Sequence, residues 1–287
     1  MAKGIDVSAY NGNCDFNRAK RSGVDFVIIR AGTDYSGEDK YWVSNYKKAK
    51  AAGLGVGAYW YCYAKNVPQA VASAKRFLKS LEGMQFDYPV YLDLEDQRAQ
   101  GGLGNKLRTD IAVAFLSELE KDGYYAGIYS MKSWFDNSFD MNRLARFDIW
   151  IARWGVQKHG YTGKGSVGMW QYTNRGRWSG IHNTGEGGVD SNISYKDYPA
   201  LIKRAGLNNY KKEKENEVVK MNPNKKTIVL YLNDGDETTA RYVAEMKDLE
   251  FYKDDGTRTA ADYNIIYVGG QGENRFKTAK YVIDKWF

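Results

Sequence analysis

Through the first 206 residues, short apolar runs with a two-residue rhythm alternate with segments whose apolar positions recur every three to four residues. The first kind predicts strands at Lys3–Ser8, Phe26–Gly32, Gly55–Cys62, Tyr88–Glu95, Tyr124–Ser130, Asp148–Trp154, Val167–Thr173 and Gly188–Ile193. The second predicts helices at Trp42–Ala52, Val67–Leu81, Leu107–Lys121 and Tyr195–Ala205. Gly53, Gly83, Gly123 and Gly206 fall where these helices should stop, as residues free to adopt left-handed backbone do. Strands alternating with helices in this way read as an α/β protein, a (β/α) TIM-like barrel. The stretches from Trp154 to Val167 and from Thr173 to Gly188 are too short or irregular for full helices. The expected barrel is therefore irregular, with fewer helices than strands.

The pattern breaks at Asn208. Residues 208–226 are poor in apolar side chains and mixed in charge, the composition of a linker. Beyond them, Thr227–Asn233 and Tyr263–Gly269 read as strands, Glu237–Lys247 and Asn274–Trp286 as helices, and Asp254-Asp-Gly-Thr257 as the turn of a short hairpin. The expected organisation is a barrel domain at 1–207, a charged linker at 208–226 and a small α/β domain at 227–287. A domain that short is marginal alone, so docking or self-association would support it.

Composition narrows the function classes. The chain has 287 residues and a net charge of +7, which favours a polyanionic partner by long-range attraction. Nucleic acid and anionic wall polymers satisfy that charge equally, but no Lys/Arg block, RNA-binding aromatic motif or recognition-helix pattern is present. Eight Trp and 23 Tyr exceed what a core of this size needs, and their faces can stack on sugar rings as well as on bases. Cys14 and Cys62 lack metal-ligand or redox spacing and read as free buried thiols, suited to a reducing cytosol. With only His159 and His182, zinc sites and a Ser-His-Asp triad have little to build on, and no metal or cofactor is expected. Neither a signal-peptide pattern nor an apolar membrane-spanning run occurs, so no membrane insertion is expected and another agent would have to release the protein to an external substrate.

The chemistry concentrates in Tyr88-Pro-Val-Tyr-Leu-Asp-Leu-Glu-Asp96. Alternate strand residues share a face, so this apolar strand ends by pointing Asp93 and Glu95 the same way. Nearby carboxylates repel, and one of them is pushed to keep its proton near neutral pH. A general acid and a charge-stabilising partner for glycoside cleavage need this arrangement, although a metal site or a solvated strand edge would also explain it. Other polar residues gather at strand ends too: Asp6 and Ser8 on the first strand, Tyr129 on the fifth, Trp154 on the sixth, Gln171 on the seventh and Asp190 on the eighth. Barrel closure brings the first and eighth together, and barrel chemistry sits at the C-terminal strand ends.

Gly4-Ile-Asp-Val-Ser-Ala-Tyr-Asn-Gly12, Tyr91-Leu-Asp-Leu-Glu95, Gly127-Ile-Tyr-Ser130, Trp150-Ile-Ala-Arg-Trp154, Met169-Trp-Gln-Tyr172 and Gly188-Val-Asp-Ser-Asn192 occur in order. Together they resemble the glycoside hydrolase family 25 lysozymes. That resemblance implies an irregular β/α barrel that cleaves the β-1,4 bond between N-acetylmuramic acid and N-acetylglucosamine in bacterial peptidoglycan, with retention. It implies Glu95 as the proton donor. Asp93 would orient the substrate's 2-acetamido group or attack directly, and the sequence leaves those alternatives open. Asp6 and Asp190 match the family's other cleft acids, and Tyr61, Tyr129, Trp154 and Gln171 are expected to bind substrate, with Tyr59 and Trp60 also near. Arg30 suits either a buried partner for one of the acids or a substrate contact.

Tyr267-Val-Gly-Gly270 with Asn274-Arg-Phe-Lys-Thr-Ala-Lys280 resembles, more loosely, clostridial cell-wall-binding repeats and the wall-binding ends of clostridial phage endolysins. The Asp234 and Asp254 clusters lack full calcium-loop spacing and read as turns. The whole resembles a phage endolysin held in the host cytoplasm until holin lesions release it to the wall. Met221 opens the C-terminal domain behind Lys211-Lys-Glu-Lys-Glu-Asn-Glu217, whose codons are mostly purine, as in a ribosome-binding site. An internal start there would give free C-terminal fragments able to form a homo-oligomer with the full chain. The competing readings are a non-catalytic wall-binding protein on a degenerate barrel and a bacterial autolysin with the same chemistry.

Overall fold

The structure, a computed structural model, describes residues 1–184, 187–211, 227–231, 244, 250–253 and 264–268. The chain divides into two compact units, Met1–Glu213 and Lys214–Phe287. The first opens with β1 (Ala2–Val7), α1 (Phe16–Arg21), β2 (Phe26–Thr33), β3 (Gly37–Glu38), α2 (Trp42–Ala51), β4 (Gly55–Tyr61) and α3 (Val67–Leu81). It continues with β5 (Val90–Asp93), α4 (Gln97–Gln100), α5 (Asn105–Lys121), β6 (Ala126–Met131), α6 (Lys132–Asn137) and α7 (Met141–Leu144). It ends with β7 (Asp148–Ala152), β8 (Val167–Gly176), β9 (Val189–Ser194) and α8 (Tyr198–Ala205). Every expected strand of this unit is present, and the sheet runs β1-β9-β8-β7-β6-β5-β4-β2-β3, closed by pairing of β1 with β2. The result is a closed mixed barrel of eight strands, with β3 as a short flap on β2.

One expectation is corrected. β9 runs antiparallel to both β1 and β8, whereas the other barrel neighbours are parallel. Asp190 is thus near the start of its strand, not its C-terminal end. Because the strand is reversed, its start lies at the same rim as the C-terminal ends of the others, with Asp6 opposite Asp190 and Ala2 opposite Ser194. Among the described residues no helix joins β7 to β8 or β8 to β9, as the sequence pattern of those stretches implied.

Alternation along the strands builds two layers of core. Val27 and Ile29 on β2, Val56 and Ala58 on β4 and Val90 and Leu92 on β5 face outward into the layer shared with helices α2, α3 and α5. Phe26, Ile28, Tyr59, Tyr91, Tyr129, Trp150 and Met169 face inward, where Tyr198 and Ile202 of α8 join them. Small residues make room for these rings: a side chain at Gly4 would run into Phe26, and one at Gly127 into Tyr91. Helix α3 begins at Asn66, whose side chain accepts from the Gln69 amide at 3.0 Å, and stops before Gly83 at φ +73°. Cys14 and Cys62 are free and buried, and burial pushes both thiols up, away from the reactive thiolate form.

In the second unit, β10 (Thr227–Tyr231) lies between β11 (Glu250–Lys253) and β12 (Asn264–Val268), parallel to both. β11 and β12 thus point the same way on opposite sides of β10, and the turn of the hairpin expected at Asp254–Thr257 lies outside the described residues. Apart from Ala244, which is helical, the helices expected at 237–247 and 274–286 lie outside the described residues, as do the Asp234 and Asp254 clusters.

Candidate active site

At the rim where β1, β4, β5, β6 and β8 end and β9 begins, the barrel opens into a cleft of about 470 Å³. Asp6, Tyr61, Asp93, Glu95, Tyr129, Trp154, Gln171 and Asp190 all line it. The site residues expected from seven distant segments of sequence thus share one cavity. Register irregularities in β2 after Arg30 and in β8 after Gln171 fall at this same rim, where bulges re-aim side chains.

Asp93 is the last residue of β5 and is 3% exposed; Leu94 turns out into the helical layer, and Glu95 returns to the cleft, half-buried. Burial pushes the Asp93 carboxyl well above the usual range, and the nearby charge of Glu95 adds to the rise, while the Arg30 guanidinium opposes it. One Asp93 oxygen, Oδ1, is buried with no hydrogen-bond partner in the protein. The deep burial sits on Asp93 and the more accessible position belongs to Glu95. A buried, proton-retaining carboxyl beside a half-exposed one is costly for stability and useful for acid–base chemistry on a ligand.

Asp6 and Asp190 oppose each other across the β1–β9 ladder, a like-charge pairing that strand stability alone disfavours. Asp6 is 5% exposed, and its Oδ2 accepts from Asn192 Nδ2 at 2.8 Å and Gln171 Nε2 at 3.0 Å. Burial pushes its carboxyl up to about 6, against the pull of those two amides. Arg30 also lines the cleft, but its ion pair goes to Asp39, Nε to Oδ2 at 2.8 Å, so its direct partner is none of the four cleft acids. Asp39 Oδ2 also accepts from the Ala9 amide at 2.8 Å, tying the β1 loop to Arg30.

Aromatic rings form much of the wall. Tyr59 and Tyr61 face the cleft, while Trp60 points outward, donating Nε1–H to Asp34 at 2.9 Å, as alternation on β4 requires. Trp154 is 38% exposed at the lip, whereas Tyr129 is buried at the floor with its hydroxyl donating to Gln171 Oε1 at 3.1 Å. Sequence reasoning passed over Tyr10, which is largely exposed beneath the Arg30 guanidinium, and Trp150, Asn174 and Thr184, which also line the cleft. It passed over Asn192 and Asp39 too. The motif containing Tyr10 was a signal for it; no local pattern marks Asp39.

The model of glycosyl hydrolases family 25 matches residues 5–181, so the chain belongs to that family. Among characterised relatives, the autolytic lysozyme of Clostridium acetobutylicum is 27% identical over 186 residues, 64% of this chain and 54% of that protein. Lysozyme M1 of Streptomyces globisporus is 29% identical over 205 residues, 66% of each chain. The chain therefore spans about half the length of the first relative and just under two thirds of the second. Among solved structures, the CTP1L endolysin aligns over 99% of this chain and 98% of its own at 26% identity, with a TM-score of 0.65. The lysozyme from Streptomyces coelicolor aligns over 71% of this chain and 96% of its own at 25% identity, with a TM-score of 0.62.

Proposed function

We propose that this chain is an N-acetylmuramidase that hydrolyses the β-1,4 bond between N-acetylmuramic acid and N-acetylglucosamine in bacterial peptidoglycan. The observation that carries this reading is the convergence of Asp6, Asp93, Glu95 and Asp190 in one aromatic-walled cleft of a family 25 chain. Glu95, half-buried and open to the cleft, protonates the leaving glycosidic oxygen. Asp93, held deep beside it, acts on the sugar by orienting the 2-acetamido group or, once its proton is lost, by attacking directly. Asp6 and Asp190 set the charge of the floor, while Tyr61 and Trp154 offer ring faces to the sugars and Tyr129 the floor beneath them. The intact acids argue against a merely wall-binding degenerate barrel. Mass spectrometry of purified walls after digestion tests the reading: new reducing ends on muramic acid support it, and free peptides or glucosamine reducing ends overturn it.

Within this reading the protein is a phage-type endolysin, with residues 1–207 as the lytic domain, 208–226 as a linker and 227–287 as a wall-binding domain of clostridial type. It is held in the host cytoplasm until holin lesions admit it to the wall. Similarity to the CTP1L endolysin along nearly the whole chain supports the endolysin reading over that of an autolysin, whose relative matches a smaller share. A structural study of CTP1L describes regulation of that enzyme's activity by a secondary translation product. For this chain the corresponding proposal is an internal start at Met221, whose free C-terminal fragments associate with full-length chains and raise avidity for the wall.

A further inference from the structure

Two side-chain amides converge on one oxygen of Asp6, and each is held from behind by an indole. Trp150 Nε1–H donates to Asn192 Oδ1 at 2.8 Å, and Asn192 Nδ2–H donates to Asp6 Oδ2 at 2.8 Å. Trp154 Nε1–H and the Tyr129 hydroxyl donate to Gln171 Oε1 at 2.9 and 3.1 Å, and Gln171 Nε2–H donates to the same Asp6 oxygen at 3.0 Å. An indole can only donate, so the amide atom facing each tryptophan must be oxygen and the nitrogen must face Asp6. The orientation of both amides follows from chemistry. Gln171 is 2% exposed and Asn192 fully buried, and Gln171 spends its oxygen on two protein donors. The reversed β9 makes the arrangement possible, since it lies between β8 and β1 with Asn192 directly opposite Gln171.

Resting on the muramidase reading, we propose that Gln171 and Asn192 are positioning residues for Asp6 rather than sugar ligands: two indole–amide relays that hold Asp6 ionised and fixed by one oxygen. Trp154 belongs both to the lip of the cleft and to one relay, so the same side chain that meets substrate also anchors the floor. The charged and titratable groups sharing this floor with Asp6 are Arg30 of β2, Tyr59 of β4, Asp93 and Glu95 at the end of β5, Tyr129 of β6 and Asp190 of β9. Most of that charge is negative. Without the two amide donors, a buried Asp6 in such company would keep its proton.

The test uses Gln171→Glu and Asn192→Asp in the full chain. Each keeps size and the acceptor for its indole but replaces the N–H facing Asp6 with an oxygen, so Asp6 and the new carboxyl must share a proton. We expect the Asp6 titration, followed by ¹³C-carboxylate NMR, and the acid limb of the kcat/KM profile on soluble glycan to rise together by about two pH units or more. KM should stay within about threefold while kcat at neutral pH falls about tenfold or more. An unmoved Asp6 titration overturns the proposal, as does a raised KM with kcat preserved, the signature of a lost sugar contact. Gln171→Glu, nearer the lip, carries the test if Asn192→Asp does not fold. Because the titration needs no turnover, it decides on the relays even if wild-type chains produce no muramic acid ends and the muramidase reading fails.

Discussion

Asp93→Asn should make the protein more stable and catalytically dead at once. Wild-type Asp93 is buried with Oδ1 unpartnered, and burial and Glu95 hold its carboxyl well above the ordinary range. In the unfolded chain it titrates near pH 3.9, roughly the model value for an exposed aspartate. Between that value and the raised folded one, the unfolded chain releases a proton that the folded chain keeps. Wild-type stability therefore falls as pH rises through that window, by about 1.4 kcal/mol per pH unit of separation. Asparagine has the same shape and no titration. Arg30 keeps its 2.8 Å ion pair with Asp39. At pH 7 the unfolded wild-type chain gains by ionising and the unfolded variant does not, a difference on the scale of about 1–3 kcal/mol. For a domain of this size that is a Tm rise of about 2–10 °C at pH 7, shrinking toward nothing near pH 4. Thermal unfolding of both proteins across pH 4–7, paired with a wall-turbidity assay, checks both halves. A variant no more stable than wild type at pH 7, or a gap that does not change with pH, refutes the reasoning.

Glu95→Gln should leave Tm and wall binding unchanged while turbidity clearance falls by about two orders of magnitude or more; near-normal lysis would remove Glu95 from the role of general acid. Arg108, 3% exposed, donates to the carbonyls of Gln100, Gly101, Leu103 and Ser138 and lies over the Trp134 ring, pinning the loop that follows Glu95. Arg108→Met should cost about 3 kcal/mol, seen as a Tm loss of about 6–12 °C. It should also speed hydrogen exchange in residues 96–104. For the internal start, intact mass after expression should show a species beginning at Met221 that vanishes in Met221→Leu; a single full-length species in the unmodified protein eliminates it.

The strands were legible because each is a dense apolar run with period two, and the long helices α2, α3 and α5 because their apolar stripes repeat over ten residues or more. Helices such as α4 and α7, four residues each, are too short to show a period. Strand direction has no signature in a period-two pattern, which reads the same both ways. That is why Asp190 was placed at the right rim for the wrong reason. The cleft acids stood out because carboxylates ending apolar strands are chemically odd. Asn192 and Asp39 did not, since their importance lies in what they touch across the barrel: Asp6 and Trp150 for one, Arg30 and the Ala9 amide for the other.

The reversal of β9 has an architectural consequence. In an all-parallel barrel, the chain leaving β8 would have to travel to the far end before the last strand could begin. Here it departs and re-enters at the same rim, where Asn174 near the end of β8 and Thr184 on this excursion both line the cleft. Its length is therefore uncoupled from barrel closure: residues can be added or removed there without a crossover to rebuild. One wall of the cleft is an exchangeable part on a fixed frame, the natural place for selection, or an engineer, to refit the cleft to a different ligand.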